Sequence, residues 1–174
     1  MASDSGPRKR LVDVIAAYAE GEWGFSGTRS GMTGFQREMV IRVLKQGQPL
    51  IFRHGGAFGS DFQAHSIWRG HCKNRTAEIW PADVKRQELF AGQENVLVQG
   101  TMPPLVRNVE IVKRSQFLFA TPHSEVEEQR SGTWQTIRET LKLNKPILII
   151  WPFTKRLTFY CERKLYRVTY TNAP

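Results

Sequence analysis

The chain has 174 residues, the size of one compact domain, and its 40% hydrophobic, 11% aromatic and 24% charged residues exclude a mainly disordered polypeptide. No apolar run approaches the roughly 20 residues of a membrane helix, and the N-terminus lacks the apolar stretch of a secretion signal. We therefore expect a cytoplasmic protein without a membrane partner. The 25 Lys and Arg exceed the 16 Asp and Glu by nine, which favours anionic partners, although a merely solubilising surface has the same excess. Cys72 and Cys161 belong to no C-x-x-C pair, and we expect neither a metal nor a cofactor.

The first half of the chain alternates between helical and extended patterns. The spacing of Thr33 and Gln36 is that of a capping box, which predicts a helix start, and Gly47 predicts the end of the same helix. In chain order, the predicted elements are a leading helix at 9–20, a strand at 23–28, a helix at 33–46, a strand at 49–53 and a helix at 60–71.

The second half continues this alternation with one interruption, the charged and polar segment 83–93, which predicts a loop. The Pro-Pro pair at 103–104 suits the first turn of a helix, whose predicted core face is Leu105, Val109 and Val112. In chain order, the predicted elements are strands at 77–80 and 95–99, the helix from 103, a strand at 116–120, a helix at 133–143, a strand at 147–151 and a closing hairpin or edge strand within 157–170.

Continuous apolar strands that alternate with amphipathic helices predict an α/β fold, a Rossmann-like doubly wound and mostly parallel sheet flanked by helices. The short leading helix and the C-terminal edge extension lie outside this unit. The predicted organisation is therefore a leading segment at 1–22, a nucleotide-binding domain at 23–152 and a basic extension at 153–174 that packs on the same domain.

Three turns follow the carboxyl ends of predicted strands, where open parallel sheets bind their ligands. The first contains Ser26, Gly27, Thr28 and Arg29. A glycine lets the backbone approach a ligand, and hydroxyl and guanidinium donors beside a helix N-terminus suit a phosphate. A tight turn without a ligand has a similar composition, so both interpretations stay open.

The second turn has three glycines within five positions, more than a turn requires. Asp61 is a candidate acceptor for ribose hydroxyls, or is favoured there by the helix dipole. His54 and His65 favour a hydrogen-bonding or structural role over metal binding, because no third ligand has suitable spacing. The candidate binding residues of this turn are His54, Gly55, Gly56, Gly59, Ser60 and Asp61.

The third turn precedes the helix at 133–143, where backbone N–H groups and two hydroxyls predict an anion site. Arg107, on the preceding helix, lies off the apolar face and is predicted either to reach a phosphate or to be a surface arginine. The candidate binding residues here are Asn108, Arg130, Ser131, Gly132 and Thr133. An acidic cluster of Glu125, Glu127 and Glu128 is either a solvated loop or the source of a carboxylate that faces a sugar.

Together these motifs resemble the SLOG superfamily, which joins the DNA-processing protein A fold to the cytokinin-activating lonely-guy phosphoribohydrolases. The resemblance spans roughly residues 23–152. It is carried by Ser26-Gly27-Thr28-Arg29, His54-Gly55-Gly56, Gly59-Ser60-Asp61, Arg107-Asn108, Arg130-Ser131-Gly132-Thr133-Trp134 and Lys145-Pro146. It implies a strand-end crevice that accepts a nucleotide or a nucleotide derivative, and a homo-oligomer.

Lonely-guy enzymes cleave the N-glycosidic bond of a nucleoside monophosphate with an arginine and a glutamate. The resemblance assigns the arginine to Arg107, but Thr136 stands at the glutamate position. The same reaction here would need another carboxylate, for which Glu128 is the candidate. Other members of the superfamily bind nucleotide signals, and one branch binds single-stranded DNA.

Three functional hypotheses follow. The first is a module that binds a nucleotide or nucleotide-derived ligand, as a sensor or a sequestering protein. The second is a hydrolase of the N-glycosidic bond in nucleoside monophosphates, with Arg107 and Glu128 as catalytic residues. The third is a single-stranded nucleic-acid-binding protein, favoured by the net charge and by basic residues outside the motifs, namely Lys9, Arg10, Arg163, Lys164 and Arg167.

Overall fold

A computed structural model describes residues 6–171, so residues 1–5 of the leading segment and 172–174 of the C-terminal extension lie outside the described residues. The strands are β1 (Arg8–Arg10), β2 (Glu22–Gly27), β3 (Ile51–His54), β4 (Thr76–Ile79), β5 (Val96–Val98), β6 (Phe117–Thr121), β7 (Ile147–Ile150), β8 (Leu157–Cys161) and β9 (Lys164–Thr169). The helices are α1 (Leu11–Tyr18), α2 (Gly34–Gly47), α3 (Ser60–His71), α4 (Val84–Phe90), α5 (Pro104–Arg114) and α6 (Gly132–Lys142).

The strands form a single sheet in the order β1-β9-β8-β7-β6-β2-β3-β4-β5. All neighbours are parallel except β8, which is antiparallel to both β7 and β9. This confirms the predicted α/β, Rossmann-like sheet, and the predicted closing hairpin is the pair β8–β9.

The helices cover the two faces of the sheet unequally. Buried side chains of α1, α2, α3 and α4 belong to one core cluster, whereas those of α5 and α6 belong to a second cluster on the opposite face. Strand β6 shows the division, because Phe117 and Phe119 belong to the first cluster and Leu118 and Ala120 to the second. Alternate side chains of a strand point to opposite faces, so both faces of the central strands are buried.

The position of the ligand crevice follows from the strand order. The chain leaves β2 toward β3, β4 and β5, and then returns to place β6 on the other side of β2. The strand order therefore switches between β2 and β6, and their carboxyl ends flank the crevice where open α/β sheets bind ligands. The predicted turns after β2 and β6 lie at this point.

One local expectation was wrong. The predicted loop 83–93 contains α4, which Asp83 caps by accepting from the Arg86 N–H at 2.9 Å. Phe90 is the one buried residue of α4, so this segment has too little apolar periodicity to predict a helix. Helix α2 begins with the predicted capping box and ends at Gly47, as predicted, and its C-cap residue Gln48 has the left-handed φ of 46°. Gly47 is also a packing position, because an added Cβ would lie 1.8 Å from the Trp23 ring.

The predicted core face of α5 was also wrong in part. Leu105 is 62% exposed, whereas Val112 is buried as predicted. The buried residues of α5 are Arg107, Asn108, Ile111 and Val112. The first turns of α5 therefore bury polar groups, and these groups belong to the candidate site.

Candidate functional site

A cavity of about 540 Å³ lies beyond the carboxyl ends of β2, β3 and β6. Thirteen of the seventeen predicted site residues line it, including Arg29, Asp61 and Ser131 from three different turns. The thirteen are Ser26, Gly27, Thr28, Arg29, Gly55, Asp61, Arg107, Asn108, Glu128, Arg130, Ser131, Gly132 and Thr133. The fold thus brings the three predicted turns together around one hollow.

The N-terminus of α6 forms one wall of the cavity. The Ser131 hydroxyl caps the helix by accepting from the Trp134 N–H at 3.3 Å. The N–H groups of Gly132 and Thr133 belong to the first turn, where no intrahelical acceptor exists. Asn108 fixes this helix start to α5, because its Nδ2 donates to Gln135 Oε1 at 2.8 Å. The helix start therefore offers backbone donors and the positive end of the helix dipole to the cavity.

Arg29 and Arg130 supply positive charge to the same cavity. Both side chains are exposed, and within residues 6–171 neither forms an ion pair or a side-chain hydrogen bond. Most other arginines of this protein are paired, as Arg138 is with Glu127 at 2.9 Å. Two unpaired guanidinium groups beside a helix start are the donors that a phosphate group accepts from.

Arg107 is buried rather than free at the surface, which corrects the expectation from its position off the apolar face. Its Nη1 donates to the carbonyl oxygens of Gly55 at 2.7 Å and Trp80 at 2.9 Å, just beyond β3 and β4. Its buried Nε has no hydrogen-bond partner among the described residues. Burial lowers the pKa of Arg107, and the charge of Asp61 opposes that shift. The guanidinium is therefore fixed in the floor of the cavity.

Gly55 makes room for this guanidinium. An added Cβ would lie 1.7 Å from Arg107 Nη1, a distance no side chain can adopt. Gly55, predicted from the sequence as a binding residue, is thus required by a neighbouring side chain of the protein itself.

Asp61 fastens the loop that follows β3. Its Oδ2 accepts from the N–H groups of Gly55 and Ala57, each at 3.1 Å, and the side chain is buried. Burial raises the pKa of Asp61, while Arg107 and the backbone donors oppose the shift. These two hydrogen bonds show that Asp61 holds the loop after β3 in the shape that lines the cavity. Its role as an acceptor for ribose hydroxyls stays a prediction.

His54 lies behind the cavity in a chain of hydrogen bonds, and not among the residues that line it. The Gly56 N–H donates to His54 Nδ1 at 3.0 Å, so the neutral ring carries its proton on Nε2. His54 Nε2 lies 2.9 Å from His65 Nδ1, and His65 Nε2 lies 3.1 Å from Gln93 Oε1. Each donor therefore meets an acceptor when both rings are neutral.

The remaining predicted residues outside the cavity lining support its walls. Gly59 and Ser60 open α3, and the Ser60 N–H donates to the carbonyl oxygen of Thr28 at 3.0 Å. That bond joins the turn after β2 to the helix after β3. Gly56 belongs to the histidine chain through its N–H. His54, Gly56, Gly59 and Ser60 are thus supporting residues by geometry.

Two of the three carboxylates in the acidic cluster bind other groups of the described chain, and the third does not. Glu125 Oε1 accepts from the Thr154 N–H at 2.7 Å, and Glu127 pairs with Arg138. Glu128 lines the cavity, and its carboxylate has no hydrogen bond or ion pair within residues 6–171. The structure therefore selects Glu128 from the three as the carboxylate available to a ligand.

Sequence reasoning missed several lining residues. Ser30 Oγ and His123 Nδ1 lie 3.1 Å apart at the mouth of the cavity. His123 follows β6 by two positions, so the rule that ligands bind at strand ends could have found it. An apolar part of the wall comes from Phe25, Leu105 and Ile111, which carry no chemical signature in the sequence.

Comparisons of this chain with protein-family models, with curated proteins and with solved structures find no match. Membership of the SLOG superfamily accordingly stays a prediction. Among residues 6–171, no group of three or more His, Cys, Asp or Glu side chains is placed to hold a metal ion. Within the same residues, no helix has the length and apolar character to cross a bilayer.

Proposed function

We propose that the cavity binds a nucleotide or a nucleotide-derived ligand, as part of a sensor or a sequestering protein. The observation that carries this proposal is the placement of Arg29 and Arg130, both without a partner within residues 6–171, around the cavity that the N-terminus of α6 lines. A phosphate between them would accept from the Gly132 and Thr133 N–H groups and neutralise both guanidinium groups.

The rest of the cavity suits the remainder of such a ligand. Leu105, Ile111 and Phe25 give one wall an apolar surface against which a base or sugar can lie. The volume of about 540 Å³ falls in the range of small-molecule sites, roughly 300–1,000 Å³. The resemblance to the SLOG superfamily supports the same ligand class.

Isothermal titration calorimetry with mononucleotides, cyclic nucleotides and ADP-ribose derivatives tests the proposal. We expect one of these ligands to bind with a Kd below about 1 mM. Binding should be lost in Arg29→Ala/Arg130→Ala and kept in Arg37→Ala/Lys45→Ala, which removes two exposed cations from α2. Absence of binding to the whole panel would refute the proposal.

A second candidate function, hydrolysis of the N-glycosidic bond in nucleoside monophosphates, is favoured by Glu128. Its carboxylate lines the cavity and has no partner within residues 6–171, which leaves it available to stabilise oxocarbenium charge or to activate water. Release of free base, measured by chromatography, should then be abolished in Glu128→Gln while ligand binding persists. No release by the natural sequence would exclude this activity.

We also propose a homo-oligomer, as the resemblance implies. Several large apolar side chains of α4, β5 and α5 are exposed, namely Val84, Leu89, Leu97, Leu105 and Val106. Exposed large apolar side chains are typical of subunit contacts where they form one patch. Light scattering after size exclusion should give at least about twice the 20.0 kDa of one chain, and a monomer mass would contradict the proposal.

A further inference from the structure

A second hollow of about 250 Å³ adjoins the cavity beside the start of α2. Its walls include the apolar side chains of Met32, Pro152 and Phe153, and Phe153 is 70% exposed. Glu125 fixes this wall, because its Oε1 accepts from the Phe153 N–H at 3.3 Å and from the Thr154 N–H at 2.7 Å. The second hollow therefore offers an ordered apolar surface next to the cavity.

Three residues line both the cavity and the second hollow, namely Thr28, Ser30 and His123. Thr28 is half-buried, whereas Ser30 and His123 are exposed. Their side chains form a chain of hydrogen bonds, with 2.9 Å between Thr28 Oγ1 and Ser30 Oγ and 3.1 Å between Ser30 Oγ and His123 Nδ1. A hydroxyl bonded to an imidazole thus lies at the junction of the two hollows, accessible from both.

The backbone favours one direction of this hydrogen-bonded chain. The Ser30 N–H donates to Thr28 Oγ1 at 3.3 Å, so this oxygen already accepts one hydrogen bond and its own proton is available to Ser30 Oγ. Ser30 Oγ then accepts from Thr28 and donates its proton to Nδ1 of a neutral His123. A serine hydroxyl that donates to an imidazole over about 2.6–3.2 Å is the arrangement of an activated nucleophile.

We propose that Ser30 is the nucleophile and His123 its base in the hydrolysis of a phosphodiester that spans both hollows. This inference rests on the proposed function, because the phosphate that Ser30 attacks is the one assigned to Arg29 and Arg130. The nucleotide half of the substrate lies in the cavity. The other half, an alcohol with an apolar or aromatic group, lies against Phe153 in the second hollow.

The reaction consists of two displacements at phosphorus. In the first, Ser30 Oγ bonds to phosphorus, the bond from phosphorus to the alcohol oxygen breaks, and the Ser30 proton passes through His123 to that oxygen. In the second, a water oxygen bonds to phosphorus, the bond to Ser30 Oγ breaks, and the water proton passes through His123 to Oγ. Arg29 and Arg130 stabilise the charge on the non-bridging oxygens. The products are a nucleoside monophosphate and the free alcohol.

Two observations favour a phosphodiester over other esters. Hydrolysis of a carboxylic ester needs donors for its oxyanion, but the N–H groups of Ser30 and Gly31 already donate to Thr28. A phosphomonoester has an organic group on one side of its phosphate only, whereas the cavity and the second hollow lie on both sides of the hydrogen-bonded chain. A diester fills both.

The p-nitrophenyl ester of thymidine monophosphate tests the proposal, because its phosphate joins a nucleoside to an aromatic ring. We expect the natural sequence to release p-nitrophenol, measured by absorbance. Release should stop in Ser30→Ala and fall at least about a hundredfold in His123→Gln. Thr28→Val should slow release and Thr28→Ser should restore it, because the Thr28 hydroxyl positions Ser30. Mass spectrometry of acid-quenched protein should find thymidylate esterified to Ser30.

The matched control is Ser66→Ala/His71→Gln, which removes an exposed serine and an exposed histidine from α3 and should leave the rate unchanged. An equal loss of activity in the control, full activity of Ser30→Ala, or no release by the natural sequence would overturn the proposal. Calorimetry with the nucleotide panel reports separately on binding. Nucleotide binding without release of p-nitrophenol would refute the nucleophile and leave the proposed function standing, whereas absence of both would refute the two together.

Discussion

Arg107 donates through Nη1 to the carbonyl oxygen of Gly55 at 2.7 Å, and Gly55 has no side chain to obstruct it. This contact joins α5 to the loop after β3, two segments separated by 52 positions in the chain. The same loop is held by Asp61 from α3. The shape of the cavity floor therefore depends on one guanidinium and one carboxylate, both buried.

Removing the guanidinium should damage both stability and binding. In Arg107→Met, the carbonyl oxygens of Gly55 and Trp80 lose their donor, and we expect the free energy of unfolding to fall by about 2–4 kcal/mol. Nucleotide binding should be lost with it. Urea denaturation and calorimetry measure the two effects.

Gly55→Ala should reproduce that defect from the other side of the contact, because its Cβ would occupy the position of Arg107 Nη1. The matched control is Gly70→Ala, at a position in α3 with open space around it. Alanine there should be neutral or stabilise α3 by up to about 1 kcal/mol. Equal stability of the two alanine variants would contradict the assigned contact.

The arginines at the mouth of the cavity should affect binding alone. Arg29 and Arg130 are exposed and form no ion pair or side-chain hydrogen bond within residues 6–171, so their substitution by alanine removes no such interaction. We expect each single variant to weaken phosphate-containing ligands about tenfold, because each loses one charge-assisted hydrogen bond of about 1.5–3 kcal/mol. The melting temperature, measured by calorimetry, should be unchanged; a lowered value would show that these side chains have a structural role.

The buried histidine pair should make stability depend on pH. Burial lowers the pKa of His54 well below its usual value near 6.5, with His65 and Arg107 acting in the same direction. Burial also lowers the pKa of His65, which the hydrogen bond to Gln93 opposes. Below about pH 6.5 the unfolded chain therefore binds protons that the folded chain does not, and stability falls as the pH is lowered.

The slope is limited to about 1.4 kcal/mol per pH unit for each histidine. Asp61 acts in the opposite direction at lower pH, because burial raises its pKa and favours proton uptake by the folded state. Urea denaturation of the natural sequence and of His65→Gln, from about pH 7.5 to 5.5, separates the contributions. Identical pH profiles for the two proteins would argue against a neutral histidine pair.

Lys145 should stabilise the end of α5. Its Nζ donates to the carbonyl oxygens of Val112 at 2.8 Å and Ser115 at 2.9 Å, and to that of Lys113. The final carbonyl groups of a helix have no intrahelical donors, so Lys145→Met should reduce the free energy of unfolding by about 1–3 kcal/mol. Lys142→Met, at an exposed position in the last turn of α6, is the control and should change stability by less than about 0.5 kcal/mol.

Most of the fold follows from local patterns in the sequence. Apolar runs with helical or strand spacing give the central elements, and the Thr33–Gln36 capping box marks the start of α2 in the structure as it does in the sequence. Strand β1 escaped prediction because Arg8–Arg10 has no apolar residue and is held in the sheet by pairing with β9, at the other end of the chain. Pairing with a distant strand leaves no apolar periodicity in β1 itself.

The sequence by itself determined that glycines, hydroxyls and arginines follow the strand ends, and the parallel sheet then brings these ends to one edge. The common cavity was therefore predictable. Only the tertiary structure decided which side chains face it, because their partners come from distant segments. Arg107 is fixed by carbonyl groups 27 and 52 positions away. Thr154 and Arg138 bind Glu125 and Glu127, whereas Glu128 has no partner within residues 6–171.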